Sequence, residues 1–346
     1  MNENQRIFHA FMNLGDFFRD FCHSRRRQDR WSQQLEETIA LAGHKNGWFT
    51  EENVLFALKS WGDSLKEDAL SAWLSPYDLT RNREKTVAII MAGNIPLVGF
   101  HDLISVLITG NKALVKLSSN DDVLVSFITD YLTSNEPLFE DRISIPQGKL
   151  EGFDAVIATG SNNTARYFEH YFGKVPNVIR KNRNSVAVLT GKEPSAQLEA
   201  LGEDIFRYYG LGCRSVSKLF VPDGYDFEAF FTSIYSYRPI LQQNKYANNY
   251  DYNKAVYLMS DFKIFDNGFL VLKEDNSYTS PIASLFYENY SSLQAVRERL
   301  KKDANQLQCV VGEGILDTEI SFGETQSPAL SDYADGVDTV DFLLRY

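Results

Sequence analysis

Cys213 stands in the run YYGLGCRSVSKLFVPDGYD (residues 208–226), between glycines, an arginine and a hydroxyl-rich stretch that reads as a strand. A thiol is a strong nucleophile only as its thiolate, and a neighbouring positive charge lowers its pKa. Arg214 supplies such a charge, while Gly210 and Gly212 let the backbone turn tightly and a substrate approach closely. Free cysteine is also commonly buried, so these residues alone leave a structural and a catalytic reading of Cys213 equally open. Cys22, on a helical face, and Cys309, inside an apolar strand, are poorer candidates. Three cysteines with no close C-x-x-C spacing favour neither a disulfide framework nor a cysteine-built zinc site, and no metal is expected.

Three further places carry polar groups suited to chemistry. Asn94 follows an apolar run and precedes Pro96, where its amide could donate to a developing oxyanion or simply organise a turn. Lys116 opens KLSS (116–119), where a cation could meet ribose or phosphate, or snorkel from a strand end. TGSNN (159–163) directs the backbone N–H groups of a starting helix at whatever lies above it, which suits a pyrophosphate.

These residues need elements to position them. Over residues 4–75, Ile7, Phe8, Phe11, Leu14, Phe18 and Phe21 recur at helical spacing, and Thr50 before Glu51 and Glu52 reads as a helix start. The aromatic stripe is either a packing face or the lining of a greasy substrate site. From residue 86 onward, short apolar strands (86–91, 113–117, 154–159, 185–189) alternate with helices (95–110, 121–132, 164–172), which implies a parallel sheet covered on both faces. Such sheets bind ligands beyond the carboxyl ends of their strands, where AGN (92–94), KLSS and TGSNN stand. A helix over 193–210 leads to Cys213 and a strand over 215–222 follows it. A second α/β unit continues through strands at 269–274 and 306–312 and a helix at 291–303. The expected organisation is a helical N-terminal region (1–80), a dinucleotide-binding Rossmann-like domain (81–190), a catalytic cysteine domain (191–330) and a C-terminal strand or tail (331–346). The division is placed near residues 189–194, where TGKEP interrupts the apolar pattern.

The 346 residues are 44% hydrophobic and 23% charged, which suits a folded protein of two domains. A net charge of -11 argues against nucleic acid as the main partner. SRRRQDR (24–30) and RKNRN (180–184) are local basic runs, read either as solvated surface or as places for small anions. Neither a signal peptide nor a membrane-spanning run is found, which predicts a cytoplasmic protein.

Together and in this order, the motifs resemble the aldehyde dehydrogenase superfamily, and within it the long-chain acyl-CoA reductases of the bioluminescence (LuxC) type. MAGNIPLVGFHDLISVLITGNKALVKLSSND (91–121) is similar to the stretch in which N-x-P is followed by a helix, a G-N turn and a lysine. AVIATGSNNTARYF resembles the F-T-G-S segment and GLGCRSVSKLFVP the G-Q-x-C catalytic stretch. TSPIASLFY and FGETQSP are similar to later G-P-V and F-G-G segments. The resemblance implies an aldehyde-dehydrogenase-like fold of two doubly wound α/β domains with a helical N-terminal region. It makes Cys213 the nucleophile and Asn94 the oxyanion donor, and it assigns a nicotinamide cofactor to Lys116, Ser118, Ser119, Thr159, Gly160 and Ser161, without a G-x-G-x-x-G fingerprint.

Two departures bear on the reaction. Hydrolytic relatives carry a glutamate base in E-L-G-G-K, whereas VIRKNRNSVAVL has Ile179 near that position. Hydrolysis of a thioester needs a base to activate water, and reduction does not. A later glutamate that holds the nicotinamide ribose is replaced near Ser277. Ser119 replaces the acid that often follows the ribose lysine in NAD-preferring relatives, removing repulsion of a 2′-phosphate, so NADPH is expected over NADH. The expected activity is NADPH-dependent reduction of a fatty acyl-CoA, or an acyl group on a carrier, to the aldehyde through a thioacyl-cysteine. Rival readings are a cysteine acyltransferase or thioesterase without nicotinamide, and a non-catalytic nucleotide-binding subunit. An acyltransferase or synthetase partner, a homo-oligomer and an exchanged C-terminal strand are compatible with the resemblance.

Overall fold

The computed structural model describes residues 1–24 and 29–345. The chain forms two compact units, one of residues 1–182 and 329–346, the other of residues 183–328. Most of the basic run expected at 24–30 lies outside the described residues.

The first unit starts with four helices, α1 (Glu3–His23), α2 (Arg30–Lys45), α3 (Glu51–Ser64) and α4 (Glu67–Leu74). A capping box starts α1: the Asn2 side chain accepts from the Gln5 N–H and the Gln5 side chain from the Asn2 N–H. Thr50 is the N-cap of α3 by position, but its side chain makes no cap hydrogen bond. Next come β1 (Thr86–Ile90), α5 (Phe100–Ile108), β2 (Lys112–Lys116), α6 (Val123–Asn135), β3 (Ile143–Ser144), β4 (Ala155–Thr159), α7 (Asn162–Phe172) and β5 (Asn177–Arg180). Among the described residues these strands make a parallel sheet in the order β3-β2-β1-β4-β5.

The N-terminal helices share a core with this sheet. Ile7, Phe11, Leu14, Phe18 and Phe21 are buried together with Phe100, Leu103, Leu124 and Phe139, and the Phe11 ring meets Phe139 edge-on. Burying each large apolar side chain contributes about 1.5–3 kcal/mol. The N-terminal stripe is therefore a packing face. For the same reason, residues 1–80 are not a body apart from the sheet that follows.

The second unit contains β6 (Asn184–Val188), α8 (Ser195–Phe206), β7 (Val216–Pro222), α9 (Glu228–Ser233), α10 (Asn244–Met259), β8 (Ile264–Asp266), β9 (Val271–Glu274), β10 (Ser284–Tyr290), α11 (Leu293–Lys302) and β11 (Leu307–Val311). Its sheet runs β11-β6-β7-β10-β9-β8, parallel except for the pairing of β8 with β9. The division between units falls at 182/183, upstream of the expected 189–194. The cause is that β6 pairs with β7 and β11, whereas the sequence reading gave it to the first sheet.

The chain ends with α12 (Thr339–Arg345) in the first unit, a helix where a strand was expected. Asp338 accepts from the Asp341 N–H through its side chain and from the Phe342 N–H through its carbonyl, and Thr339, Val340 and Leu343 face inward at helical spacing. In the run 180–184, Lys181 and Asn182 are exposed, as a solvated surface requires, but Arg180 departs from that reading. It is buried, paired with the Asp102 carboxylate of α5, and its Nη2 donates to Thr339 Oγ1 at 2.9 Å.

Candidate active site

The register of the first sheet brings most of the candidate residues of this unit to one edge. Ile90, the last residue of β1, pairs with Lys116 on one side and Ala158 on the other, and Thr159 pairs with Arg180. Segments 91–94, 117–121 and 159–161 thus leave the same rim. The chain begins the sheet at β1, builds outward through β2 and β3, then returns to place β4 on the other side of β1. The gap above β1 and β4 is the switch point where open parallel sheets take ligands.

The β1 and β2 loops touch closely. A Cβ on Gly93 would lie 2.5 Å from Ser118 Oγ, so only glycine lets the segment carrying Asn94 rest against Ser118. Asn94 is exposed, in the turn before Pro96. Three residues beyond it, Leu97 has a left-handed backbone (φ 58), and its N–H donates to Asp121 Oδ2 at 2.7 Å. Asp121 is buried, and its Oδ1 has no hydrogen-bond partner among the described residues. Burial pushes this carboxyl up to about 7; the Leu97 N–H opposes the shift and nearby Asp122 adds to it.

Lys116 is exposed, with Nζ 3.5 Å from the Gly148 carbonyl oxygen. Ser118 Oγ accepts from the Asn120 N–H, and Ser119 is exposed. Thr159 and Gly160 are half-buried, and the Gly160 N–H donates to the Arg180 carbonyl at 3.3 Å. Ser161 caps α7 by accepting from the Thr164 N–H at 3.2 Å.

In the second unit, α8 gives way to three consecutive left-handed residues, Tyr208 (φ 54), Tyr209 (φ 60) and Gly210 (φ 75). Each non-glycine residue in that conformation costs about 1–2 kcal/mol. The chain is thereby redirected into a turn closed by the Ser215 N–H on the Gly212 carbonyl at 3.0 Å, with Cys213 and Arg214 at its centre. Cys213 is exposed, whereas Cys22 is half-buried with Sγ 3.8 Å from the Leu55 carbonyl oxygen, and Cys309 is buried in β11. Side chains brace the turn. Ser185 Oγ donates to the Cys213 carbonyl at 2.9 Å, Arg214 Nε to the Thr325 carbonyl at 2.7 Å, and Gln326 Nε2 to Ser215 Oγ at 3.4 Å.

Thr325 and Gln326 belong to the FGETQSP segment, and sequence reasoning missed the acid that holds it. Asp204 on α8 is fully buried and accepts from the Gly323 N–H at 2.7 Å, the Thr325 N–H at 3.0 Å and Thr325 Oγ1 at 2.8 Å. Burial raises its pKa to about 6 against the pull of these donors. The available signal was an acid one helical turn from Leu201, beside Ile205, on the buried face of α8. Of the two positions marked by missing glutamates, Ile179 lies on β5, and the Ser277 N–H donates to the Asp275 carboxylate. Among the described residues, no group of three His, Cys, Asp or Glu side chains is arranged to hold a metal, and no helix is long and apolar enough to cross a membrane.

The chain has the fold of the aldehyde dehydrogenases. It resembles aldehyde dehydrogenase 21 from Physcomitrella patens in complex with the reaction product succinate (TM-score 0.68, 11% identity, covering 99% of this chain and 84% of that one). It also resembles an NAD-dependent aldehyde dehydrogenase from Sinorhizobium meliloti (TM-score 0.62, 12% identity, 96% and 72% covered). The NAD+ complex of an aldehyde dehydrogenase from Bacillus cereus is similar at TM-score 0.59 and 12% identity, with 90% and 72% covered. Within that class, residues 77–237 match the family described as acyl-CoA reductase (LuxC), in line with the resemblance read from the sequence, and the protein is an oxidoreductase. No curated protein sequence matches the chain.

Proposed function

We propose that the enzyme reduces a fatty acyl-CoA to the aldehyde with NADPH, through a thioester on Cys213. The observation that carries this reading is the placement of Cys213: an exposed residue at the centre of a braced turn, inside the stretch that matches the acyl-CoA reductases, while Cys22 is half-buried and Cys309 buried.

In this reading the Cys213 thiolate attacks the acyl carbonyl and forms a carbon–sulfur bond, while the carbonyl electron pair moves onto oxygen. The Asn94 amide and a backbone N–H donate to that oxyanion. The pair then returns, the bond to the CoA sulfur breaks, CoA leaves as a thiolate that takes a proton from water, and the acyl group stays on Cys213. What supports a dinucleotide at the first unit's rim is its switch-point position and the exposed start of α7. Lys116, Ser118, Ser119, Thr159, Gly160 and Ser161 would hold it there. NADPH, when bound, supplies as a hydride the two electrons by which an aldehyde differs from a thioester. On release of the aldehyde the Cys213 sulfur leaves with its bonding pair, restoring the thiolate. Ile179, at the position read as that of the water-activating glutamate, is in keeping with reduction in preference to hydrolysis. Ser119 in place of an acid favours NADPH. The preference for a long chain rests on the family, since the N-terminal aromatic stripe is core.

Intact-protein mass spectrometry tests this directly. Palmitoyl-CoA is expected to add one acyl group to the wild type and none to Cys213→Ala. NADPH should then discharge the adduct as aldehyde, faster than NADH does. Acylation that persists in Cys213→Ala, or an adduct that neither nucleotide discharges, overturns the reading; equal acylation by acetyl-CoA overturns the chain-length part.

A further inference from the structure

Of the three side-chain braces on the turn that carries Cys213, two lead to one buried acid. Those two, Arg214 to the Thr325 carbonyl and Gln326 to Ser215, end on adjacent residues of the segment after β11. That segment lies against α8 at two points one helical turn apart. A Cβ on Gly323 would lie 3.1 Å from Ala200 Cβ, and the Asp204 carboxylate takes the Gly323 and Thr325 N–H groups and the Thr325 hydroxyl. Gly323 is left-handed (φ 87), which lets its N–H and that of Thr325 converge on one carboxylate.

We propose that Asp204 is a positioning residue for the nucleophile: as a carboxylate it fixes residues 323–326, and through Arg214 and Ser215 these fix the orientation and reactivity of Cys213. The inference deepens the proposed role of Cys213 and rests on that reading. Three donors occupy the two oxygens of Asp204, so an ionised carboxylate satisfies all of them. A protonated one presents an O–H that only the Thr325 hydroxyl can take, by turning from donor to acceptor, and the two N–H bonds lose the charge that strengthens them. The charged groups near Asp204 are Glu203, ion-paired to Arg207 on the same helix, and Arg214, reached through the Thr325 carbonyl. Glu203 favours the neutral acid, in the same direction as burial, while the donors favour the anion.

The test is the second-order rate of Cys213 alkylation by iodoacetamide, read at the Cys213 peptide by mass spectrometry across pH 5 to 9, in wild type, Asp204→Asn, Thr325→Val and Thr325→Ser. The wild-type profile should show, besides the thiol ionisation, a loss of reactivity near pH 6 that Asp204→Asn lacks. At pH 8, Asp204→Asn should react about 10- to 100-fold more slowly, Thr325→Val more slowly by a smaller factor, and Thr325→Ser, which keeps the hydroxyl, close to wild type. Fluorescence titration with NADPH should give the same affinity throughout. Should Asp204→Asn fail to fold, the Thr325 pair carries the test alone. Wild-type alkylation rates and profile in folded Asp204→Asn and Thr325→Val overturn the proposal. Alkylation requires neither CoA nor nicotinamide, so its outcome stands apart from that of the reduction assay.

Discussion

Asp121 in the first unit and Asp204 in the second do the same work in different circumstances. Each is a buried carboxylate that ties a loop with a candidate catalytic residue to a neighbouring segment: Asp121 ties the Asn94 turn to the loop after β2, and Asp204 ties the support of the Cys213 turn to α8. Asp204 receives three donors, and its carboxyl is raised only to about 6. Asp121 receives one, keeps an oxygen without a partner among the described residues, and is raised to about 7. The number of donors decides how much of the burial cost is offset, and hence the charge at neutral pH. The acid behind the Cys213 turn is thus the more readily ionised of the two, and the acid behind the Asn94 turn the more readily protonated.

Removing the residue that each support positions gives the largest contrast. Asn94→Ala should slow Cys213 acylation by about 10²–10³ while leaving NADPH affinity unchanged. Stopped-flow measurement of CoA release reads this, and a loss below threefold would detach Asn94 from the chemistry.

Neutralising Asp121 sharpens the contrast next. Its folded pKa is raised above 3.8, so the folded protein binds the proton more tightly than the unfolded chain. The destabilisation from Asp121 is absent below about pH 4, grows as pH rises, and is complete above about 7. Asp121→Asn should therefore gain stability relative to wild type between pH 5 and 8, by at most about 3 kcal/mol at 1.36 kcal/mol per pH unit. Urea unfolding at the two pH values measures the gain, and a difference independent of pH would mean that Asp121 is not the titrating group.

Gly93→Ala gives the smallest effect. The added methyl would meet Ser118 Oγ and push the two loops apart, costing about 1–3 kcal/mol in stability and weakening NADPH several-fold. Paired Gly93→Ala/Ser118→Gly should recover most of the stability in melting experiments, and no recovery would place the strain elsewhere.

The doubly wound fold was legible because strand and helix periods alternate clearly through residues 86–189. Cys213, Asn94 and Lys116 stood out because each breaks an apolar pattern at an element's end. What escaped depended on partners distant in sequence. Arg180 reads as part of a charged surface run until Asp102 and Thr339, 78 and 159 residues away, are seen to enclose it. Asp204 meets its donors 119 and 121 residues on. The strand β6 has the same apolar composition whichever sheet receives it, so no local signal fixed the division at 182/183. For α12, the Asp338 cap and the spacing of Val340 and Leu343 were present, but a run of seven residues satisfies a strand pattern almost as well.

The contribution of both ends of the chain to the first unit has a consequence for biosynthesis. Leu330, Val340 and Leu343 complete its core, and Thr339 completes the enclosure of Arg180, but a ribosome must first translate the whole of residues 183–328. At 5–20 residues per second that is a wait of roughly 10–30 s. During it the nascent first unit carries an uncovered apolar patch beside α5, which makes it a natural client for a chaperone until the last helix emerges.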